Sequence, residues 1–350
     1  MDLLLLGAAL LVILLGAELF TNGVEWLGRR LELGEGAVGS VLAAIGTALP
    51  ETMIPLVAIL FVPGGTADAV GIGAILGAPF MLATLALFVT GAAILGFRRR
   101  RAAGALVSVD RLVIRADTRA FLGAYAVAIG AAFLPPGLAP AKWGVAAFLV
   151  LLYARHVRGH FAAEAGERDG DLAPLRLRHL DRVTRRGRHE PRLAVIAFQV
   201  LVALACILVG AAVFVGAVER ISRSLGIDET LLALVIAPIA TELPEKLNSV
   251  IWVRQGKDTL ALGNITGAMV FQSAFPVSVA LLFAPDAWSV GPGSLVAFLS
   301  AGIAVASLAT VLILPMRGRG ILSGRHLALG GAWYALYLAI VAAVMARGGP

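Results

Sequence analysis

A short acidic element that occurs twice holds the residues best suited to chemistry. Residues Thr47–Glu51 read TALPE and residues Thr241–Glu245 read TELPE, and one ungapped register aligns long stretches around both. Each copy lies in an apolar run, where an ionised glutamate is costly unless it is paired, protonated or bound to a cation. Carboxylate, hydroxyl and carbonyl oxygens suit a hard cation such as calcium, which takes about six to eight oxygen ligands. We therefore predict a cation-binding, metal-ligating site formed by Glu51, Glu245, Thr47 and Thr241.

A proline precedes the glutamate in both copies of the element. Proline inside a helix removes one backbone hydrogen bond and clashes with the preceding turn, so Pro50 and Pro244 are predicted to break or kink their helices. Carbonyl oxygens freed in this way become available as ion ligands at membrane depth. A single buried glutamate is equally compatible with a protonated or salt-bridged helix contact, but its recurrence beside a proline favours an ion site.

The composition places these elements in a membrane. Of the 350 residues, 59% are hydrophobic and only 15% are charged, and the mean hydropathy is +0.90. A soluble fold cannot bury that much apolar sequence, whereas a helix of about 20 apolar residues spans a bilayer. We predict an all-α polytopic membrane protein with about ten transmembrane helices, near Leu3–Leu27, Ala37–Val62, Ala69–Phe97, Phe121–Leu134, Trp143–Tyr153, Leu193–Val218, Leu231–Val253, Leu260–Ala284, Ser294–Leu314 and Ala328–Ala346.

Basic residues cluster in segments that follow the odd-numbered spans. These segments are Arg98–Arg101, a long polar stretch over residues 156–192, and the group from Arg317 to Arg325. The positive-inside rule makes their face cytoplasmic and puts both termini outside, in a multi-pass protein of the plasma membrane. The net charge of +7 therefore indicates topology rather than nucleic-acid binding. The histidines of the polar stretch are interpreted as solvated loop groups: His156, His160, His179 and His189.

The basic stretch divides the chain into two related halves. We predict three segments, which are residues 1–155, the cytoplasmic loop 156–192, and residues 193–350. The register that pairs Glu51 with Glu245 also pairs Gly16–Phe20 with Gly210–Phe214. If each half holds an odd number of spans, about five, the second half inserts upside down relative to the first. Such inverted repeats place their ion sites near the midplane, where the repeats meet.

At these residues the sequence resembles the cation/calcium antiporter superfamily, which includes the sodium/calcium exchangers. The likeness is carried by two signature repeats and two flanking segments: Gly46–Glu51, Ala240–Glu245, Leu225–Glu229 and Leu262–Gly267. The resemblance implies two inverted repeats of about five helices, alternating access, and exchange of calcium for sodium or protons. It also implies that Glu51 and Glu245 are the central acidic ligands, with Thr47 and Thr241 supplying further oxygens.

The sequence departs from the family pattern in the third and eighth spans. Where the family usually has Gly-Ser-Asn, this chain has Gly77–Pro79 (GAP) and Gly267–Met269 (GAM). The polar ligands expected four residues past the serine positions are replaced by Leu82 and Gln272. In sodium/calcium exchangers, such positions help to build the sodium sites. We therefore expect altered sodium coupling, with Gln272 as a candidate modulating residue.

The second acidic element also carries a charged pair that the first lacks. Glu242 and Lys246 stand at the positions of Ala48 and Thr52. A glutamate four residues before a lysine is the favourable order for an ion pair within one helix, which is the simpler interpretation. A sharper hypothesis is that the Lys246 ammonium takes the place of one monovalent cation, which would make transport less dependent on sodium or link it to protons.

These observations predict a secondary-active cation antiporter that exchanges calcium for sodium or protons at a paired-glutamate site. Protons enter the prediction because burial favours the neutral form of a carboxylate. Exchange of another divalent cation and ion binding without transport are the alternatives. An intramembrane enzyme is a remote one, since no nucleophile motif or cofactor fingerprint accompanies the glutamates. The expected partners are the lipid bilayer and the transported cations, with no cofactor and no nucleic acid, and no oligomeric state is predicted.

Overall fold

The computed structural model is helical along nearly all of the chain that it describes. It describes residues 2–31, 38–61, 65–135, 137–163, 172–180, 191–225, 242–291, 294–318 and 320–346. The helices, labelled in chain order, are α1 (Asp2–Arg30), α2 (a π-helical turn Val38–Ala43 and the α-helix Ala44–Phe61), α3 (Gly65–Met81, a π-helical turn Leu82–Ala86 and Leu87–Phe97), α4 (Arg111–Ala131), α5 (Ala139–Ala163), α6 (Leu193–Leu225), α7 (Leu243–Arg254), α8 (Asp258–Phe283), α9 (Leu295–Leu308 with a π-helical turn Ala309–Ile313), α10 (Gly324–Ala328) and α11 (Gly330–Ala346).

The helices confirm the predicted all-α membrane fold. Among the described residues, five helical stretches are long and apolar enough to cross a bilayer: Gly7–Arg30, Gly71–Phe97, Leu193–Gly210, Asp258–Phe283 and Gly324–Val344. The count of about ten spans and the inverted arrangement of the halves stay predictions. The first part of the predicted seventh span falls on residues 231–241, which lie outside the described residues.

Two helices are longer than their apolar sequence indicates. α4 begins at Arg111, where the Asp110 carboxylate caps the helix by accepting hydrogen bonds from the backbone amides of Leu112 (2.7 Å) and Val113 (3.4 Å). α5 continues to Ala163, so the first turns of the predicted loop 156–192 are helical. Hydropathy missed these turns because they carry charged and polar residues, some of them exposed, such as Arg119 and Arg158, and some buried against protein, such as Asp117 and His160.

The two prolines of the acidic elements occupy different helical positions. α2 is continuous through Pro50, which therefore does not end the helix. A proline inside a helix loses one backbone hydrogen bond and clashes with the preceding turn. These effects can bend a helix without ending it. Pro244 lies in the first turn of α7, where the missing N–H would have had no helical partner.

α8 is the central helix of the fold. Of its apolar window, 83% is buried, against 22% for the Gly324–Val344 stretch, so α8 is surrounded by protein while α11 lies at the periphery. α8 packs against α2, α3, α4, α5 and α7. Its buried polar side chains therefore face other helices, and they include Asn264, Thr266 and Gln272.

The start of α8 is fixed by a buried ion pair. The Arg101 guanidinium donates hydrogen bonds of 2.6 Å to each carboxylate oxygen of Asp258, and it also donates to the carbonyl oxygen of Val253 at 2.7 Å. A fork of parallel N–H groups matches a carboxylate in geometry as well as charge. Arg101 thus points into the fold, unlike an arginine that only marks topology.

α1 and α6 cross through two glycines that are equivalent in the repeat register. A Cβ atom added at Gly16 would lie 2.9 Å from Ile207 Cγ1, and one added at Gly210 would lie 2.8 Å from Ile13 Cγ1. From Ile13 to Gly16 along α1, the facing residue of α6 changes from Gly210 back to Ile207. The two helices therefore run antiparallel at the crossing. Each contact is the repeat-related image of the other.

Candidate functional site

The Glu245 carboxylate is buried within the helix bundle. Glu245 is in the first turn of α7 and is 0% exposed. Among the described residues, neither of its oxygens has a hydrogen-bond partner of acceptable geometry. The helix N-terminus supplies a positive dipole end that favours a carboxylate, but a buried charge without hydrogen bonds remains costly. The carboxylate is therefore poised to bind a cation or a proton.

A hydroxyl from α2 lies beside this carboxylate and in turn contacts an amide oxygen from α8. The Thr47 side chain is close to Glu245, and its hydroxyl lies 2.9 Å from the Ala43 carbonyl and 3.2 Å from Asn264 Oδ1. Thr47 and Asn264 are both 0% exposed. The structure thus brings a carboxylate, a hydroxyl and an amide oxygen from three helices into one buried cluster, all of them ligand types that suit hard cations.

The predicted ligands are described to different extents. Thr47 and Glu245, from opposite halves of the sequence, are brought together. Glu51 lies on α2 one turn after Thr47, and its side chain, like that of Pro50, is outside the described part of the structure. Thr241 lies outside the described residues altogether. The paired-glutamate site therefore stays a prediction.

The second acidic element contains the ion pair that its spacing predicts. Lys246 Nζ lies 2.9 Å from Glu242 Oε2, and the two side chains are 6% and 1% exposed. The other carboxylate oxygen of Glu242 has no hydrogen-bond partner among the described residues. The charges of this pair are close enough to Glu245 to interact with its carboxylate through space. Whether the Lys246 ammonium replaces a transported cation stays a prediction.

The positions that depart from the family pattern are buried. Ala78, Leu82 and Ala268 are at most 6% exposed and place only hydrocarbon where oxygen ligands were expected. Gln272 Nε2 donates to the Ala48 carbonyl at 3.3 Å, which attaches α8 to α2 one residue after Thr47. Its observed contact is therefore between helices.

Two asparagines of this region were not among the predicted ligands. Asn264 contacts Thr47, and Asn248, one helical turn after Glu245, accepts a hydrogen bond of 2.6 Å from the Thr21 hydroxyl. The side-chain nitrogens of both asparagines are buried and have no partner among the described residues. An asparagine inside an apolar helix was the available signal, because burying an amide is unfavourable without hydrogen bonds.

Two of the histidines that were predicted to be solvated loop groups, His156 and His160, lie on helix α5. His160 is buried and His156 half-buried on α5, and both approach Asp117 of α4. The interpretation of these two as loop groups is wrong, because α5 extends past them and packs against α4. His179 is exposed as expected, and His189 lies outside the described residues.

Comparison with known proteins identifies what this chain resembles. The sequence model of one family, described as sodium/calcium exchanger protein, matches residues 1–157 and 195–346. The protein CaxA of Alkalimonas amylolytica is 35% identical over 96 residues, which cover 27% of this chain and 30% of that protein. The sodium/calcium exchanger MaX1 of Methanosarcina acetivorans is 31% identical over 88 residues, or 25% of each chain. The match thus spans under a third of the length of these two relatives.

Solved structures extend the likeness to the whole fold. A structure of the sodium-calcium exchanger NCX_Mj, soaked with sodium and strontium, superposes with a TM-score of 0.70. The superposition covers 97% of this chain and 99% of the exchanger, at 19% sequence identity. At that identity the superposition shows that the fold is shared.

Proposed function

Because this chain belongs to the sodium/calcium exchanger family, we propose that it is a secondary-active antiporter that exchanges calcium for sodium at a site containing Glu51 and Glu245. Members of the family are transporters and not enzymes, so the intramembrane-enzyme alternative is set aside. One observation carries the proposal. The Glu245 carboxylate is fully buried and unpartnered among the described residues, and it lies beside Thr47, whose hydroxyl is 3.2 Å from Asn264 Oδ1.

The ligand chemistry of this cluster favours calcium over a softer metal. Calcium takes about six to eight oxygen ligands in flexible geometry, and carboxylate, hydroxyl and amide oxygens are the groups gathered around Glu245. Glu51, Thr241 and freed backbone carbonyls would complete such a shell. The two glutamate charges would match the charge of one calcium ion, while sodium ions would use the same oxygens in the opposite half of the cycle.

Alternating access is supported by the way the two halves meet. The Thr47–Asn264 contact joins a first-half helix to a second-half helix at the site. The reciprocal contacts of Gly16 with Ile207 and of Gly210 with Ile13 are those expected of repeats related by a two-fold axis in the membrane plane. We infer that the halves rock against each other around the bound ion. The basic loop and the other arginine clusters would face the cytoplasm, with both termini outside.

A proton-coupled exchanger is the second candidate, and two observations favour it. The side chains of Ala78, Leu82 and Ala268 are buried hydrocarbon and offer no oxygen for sodium. The buried Lys246 ammonium, paired with Glu242, already supplies a positive charge that acts on the Glu245 carboxylate. In this version, a proton rather than sodium would neutralise a glutamate of the site when calcium leaves.

Calcium flux into proteoliposomes tests the proposal. The purified chain is reconstituted, and uptake of radioactive calcium is driven first by an outward sodium gradient and then by a pH gradient. We expect uptake with at least one gradient and its loss in Glu245→Gln. The matched control is Glu18→Gln, which alters a half-exposed glutamate that pairs with Arg176 at the surface. Calcium binding without flux would instead support a family member that binds ions without transporting them.

A further inference from the structure

Two histidines and an aspartate converge at a buried point between α4, α5 and α8, away from the Glu245 cluster. Asp117 is 0% exposed, and its Oδ1 lies 2.8 Å from His160 Nε2 and 3.3 Å from His156 Nε2. One ligand atom from each residue lies within 4.8 Å of the others. Asp117 lies far from the histidines in sequence, so only the packing of α4 against α5 brings these groups together.

The spacing of these atoms fits a small divalent ion. A four-coordinate zinc ion with bonds of about 2.0–2.1 Å holds its ligand atoms about 3.3 Å apart, so the two measured separations need little adjustment. His156 and His160 are four residues apart and lie on one face of α5, the arrangement by which one helix presents two imidazoles to a metal. Their rings meet edge to face, with centroids 4.6 Å apart.

The ligands are held in place by a group on the central helix. The Thr266 hydroxyl on α8 donates to Asp117 Oδ2 at 2.5 Å, which leaves Oδ1 directed at the histidines. Hydrogen bonds of this kind to ligating side chains fix their orientation and support metal affinity. Such a prearranged set of ligands differs from a chance meeting of surface groups.

Two buried polar atoms of α5 have no hydrogen-bond partner among the described residues. They are His156 Nε2, whose approach to Asp117 lacks hydrogen-bond geometry, and the hydroxyl of Tyr153, one turn earlier on α5. Both are shielded from solvent, and a buried polar atom without a partner is destabilising. A metal ion would satisfy the histidine nitrogen directly, and a water would fill the fourth position.

The two histidines of the cluster border a cavity at the side of the bundle. This cavity of about 810 Å³ lies between α4 and α5, and its other charged lining residues are Asp110, Arg119 and Arg155. The two arginines disfavour a cation that is held by charge alone. Neutral imidazoles hold a metal through coordinate bonds, and the set of two imidazoles and one carboxylate suits zinc-type ions rather than calcium.

We propose that Asp117, His156 and His160 form a second metal site that binds a zinc-type divalent ion and is separate from the transported ion's site. A bound ion would join α4 and α5, and through Asp117 and Thr266 it would hold α8. Thr266 is two residues from Asn264, which contacts Thr47 in the transport site. Occupancy of the second site would thus restrain the helix that carries a candidate transport ligand.

Zinc binding by the purified full chain tests the proposal. The chain is prepared without a polyhistidine tag, stripped with a chelator and titrated with Zn²⁺ against a fluorescent competitor. We expect one equivalent of tight binding, retained in Glu245→Gln, and at least about a tenfold loss of affinity in His156→Ala and in His160→Gln. The control His179→Ala removes an exposed histidine outside the cluster and should leave binding unchanged.

Cobalt substitution gives a second measurement that needs no variant. Co²⁺ bound to the wild-type chain should show the intense visible bands of four-coordinate cobalt and lose them on addition of Zn²⁺. Thr266→Val should weaken zinc binding by about 10- to 100-fold without removing a ligand. No stoichiometric zinc binding by the wild type, cobalt bands of six-coordinate type, or full binding by a His156→Ala/His160→Ala double variant would each overturn the proposal.

Discussion

On one side of α8, the buried Glu245 carboxylate has no hydrogen-bond partner among the described residues, whereas on the other side the buried Asp117 carboxylate is met by a hydroxyl and two imidazoles. The residues of α8 that face the two clusters, Asn264 and Thr266, are two positions apart and therefore point to different sides of the helix. An unsatisfied oxygen cluster can exchange its cation, while a prearranged nitrogen and oxygen cluster is built to retain one. In our two proposals, the same helix therefore borders the site of the transported ion on one side and the site of a resident metal ion on the other.

The largest expected effect is on transport, on the Glu245 side of α8. Glu245→Gln removes a charged ligand while keeping the shape of the side chain, and such a loss is expected to lower calcium exchange by about 100-fold or more. Asp117→Asn should leave exchange measurable in zinc-free buffer. Calcium uptake by proteoliposomes containing matched amounts of each variant checks the difference. Equal loss in both variants would remove the functional distinction between the clusters.

Substitution of Asp117 should lower the stability of the fold more than substitution of Glu245, the reverse of their expected effects on transport. Asp117→Ala removes the buried carboxylate that His160 and the Thr266 hydroxyl contact by hydrogen bonds, and removal of one member of such a buried set costs about 3 kcal/mol. Glu245→Gln replaces an unpartnered buried carboxylate with a neutral amide and should leave stability unchanged or raised. Thermal unfolding in detergent, with chelator present, compares the two variants with the wild type. A lowered midpoint for Glu245→Gln would contradict the assignment of its carboxylate as unsatisfied.

A smaller effect is expected at Thr47. Thr47→Val keeps the shape of the side chain and removes one candidate oxygen ligand, so we expect about a tenfold weaker apparent affinity for calcium, equivalent to about 1.4 kcal/mol. The matched control is Thr52→Val, which removes a buried hydroxyl on the same helix that donates to its own backbone at Ala48. Concentration dependence of calcium uptake measures both, and equal changes would show that the Thr47 effect is one of packing.

The smallest expected effect concerns the ion pair beside the site. Lys246→Met together with Glu242→Gln removes both charges and leaves the local net charge unchanged. If the ammonium substitutes for a monovalent cation, the double variant should become more sensitive to sodium by about threefold to tenfold, or about 1 kcal/mol. Calcium flux at increasing sodium concentration measures this change. Unaltered ion dependence would leave the pair with a structural role alone.

Sequence patterns predicted those features that depend on neighbours along one helix. The positions of most helices followed from apolar runs, and the Glu242–Lys246 pair followed from its four-residue spacing. The Thr47–Asn264 contact was not predicted, because it depends on how α2 packs against α8. The burial of His156 and His160 was missed for a related reason. The basic residues around them are typical of a loop, although α5 continues to Ala163, and their partner Asp117 is on another helix.

The crossing of α1 and α6 bears on the ancestry of this architecture. The contacts of Gly16 with Ile207 and of Gly210 with Ile13 are two copies of one contact. In each copy, the glycine of one half meets the isoleucine of the other half. Two identical chains meeting about a two-fold axis make contacts of this self-complementary kind. A single ancestral half, inserted into the membrane in both orientations, would have formed both contacts as a homodimer before its gene was duplicated and fused. Under that history, one substitution in the ancestor changed both sides of the crossing at once, and only after fusion did the halves become free to acquire differences such as Glu242 and Lys246.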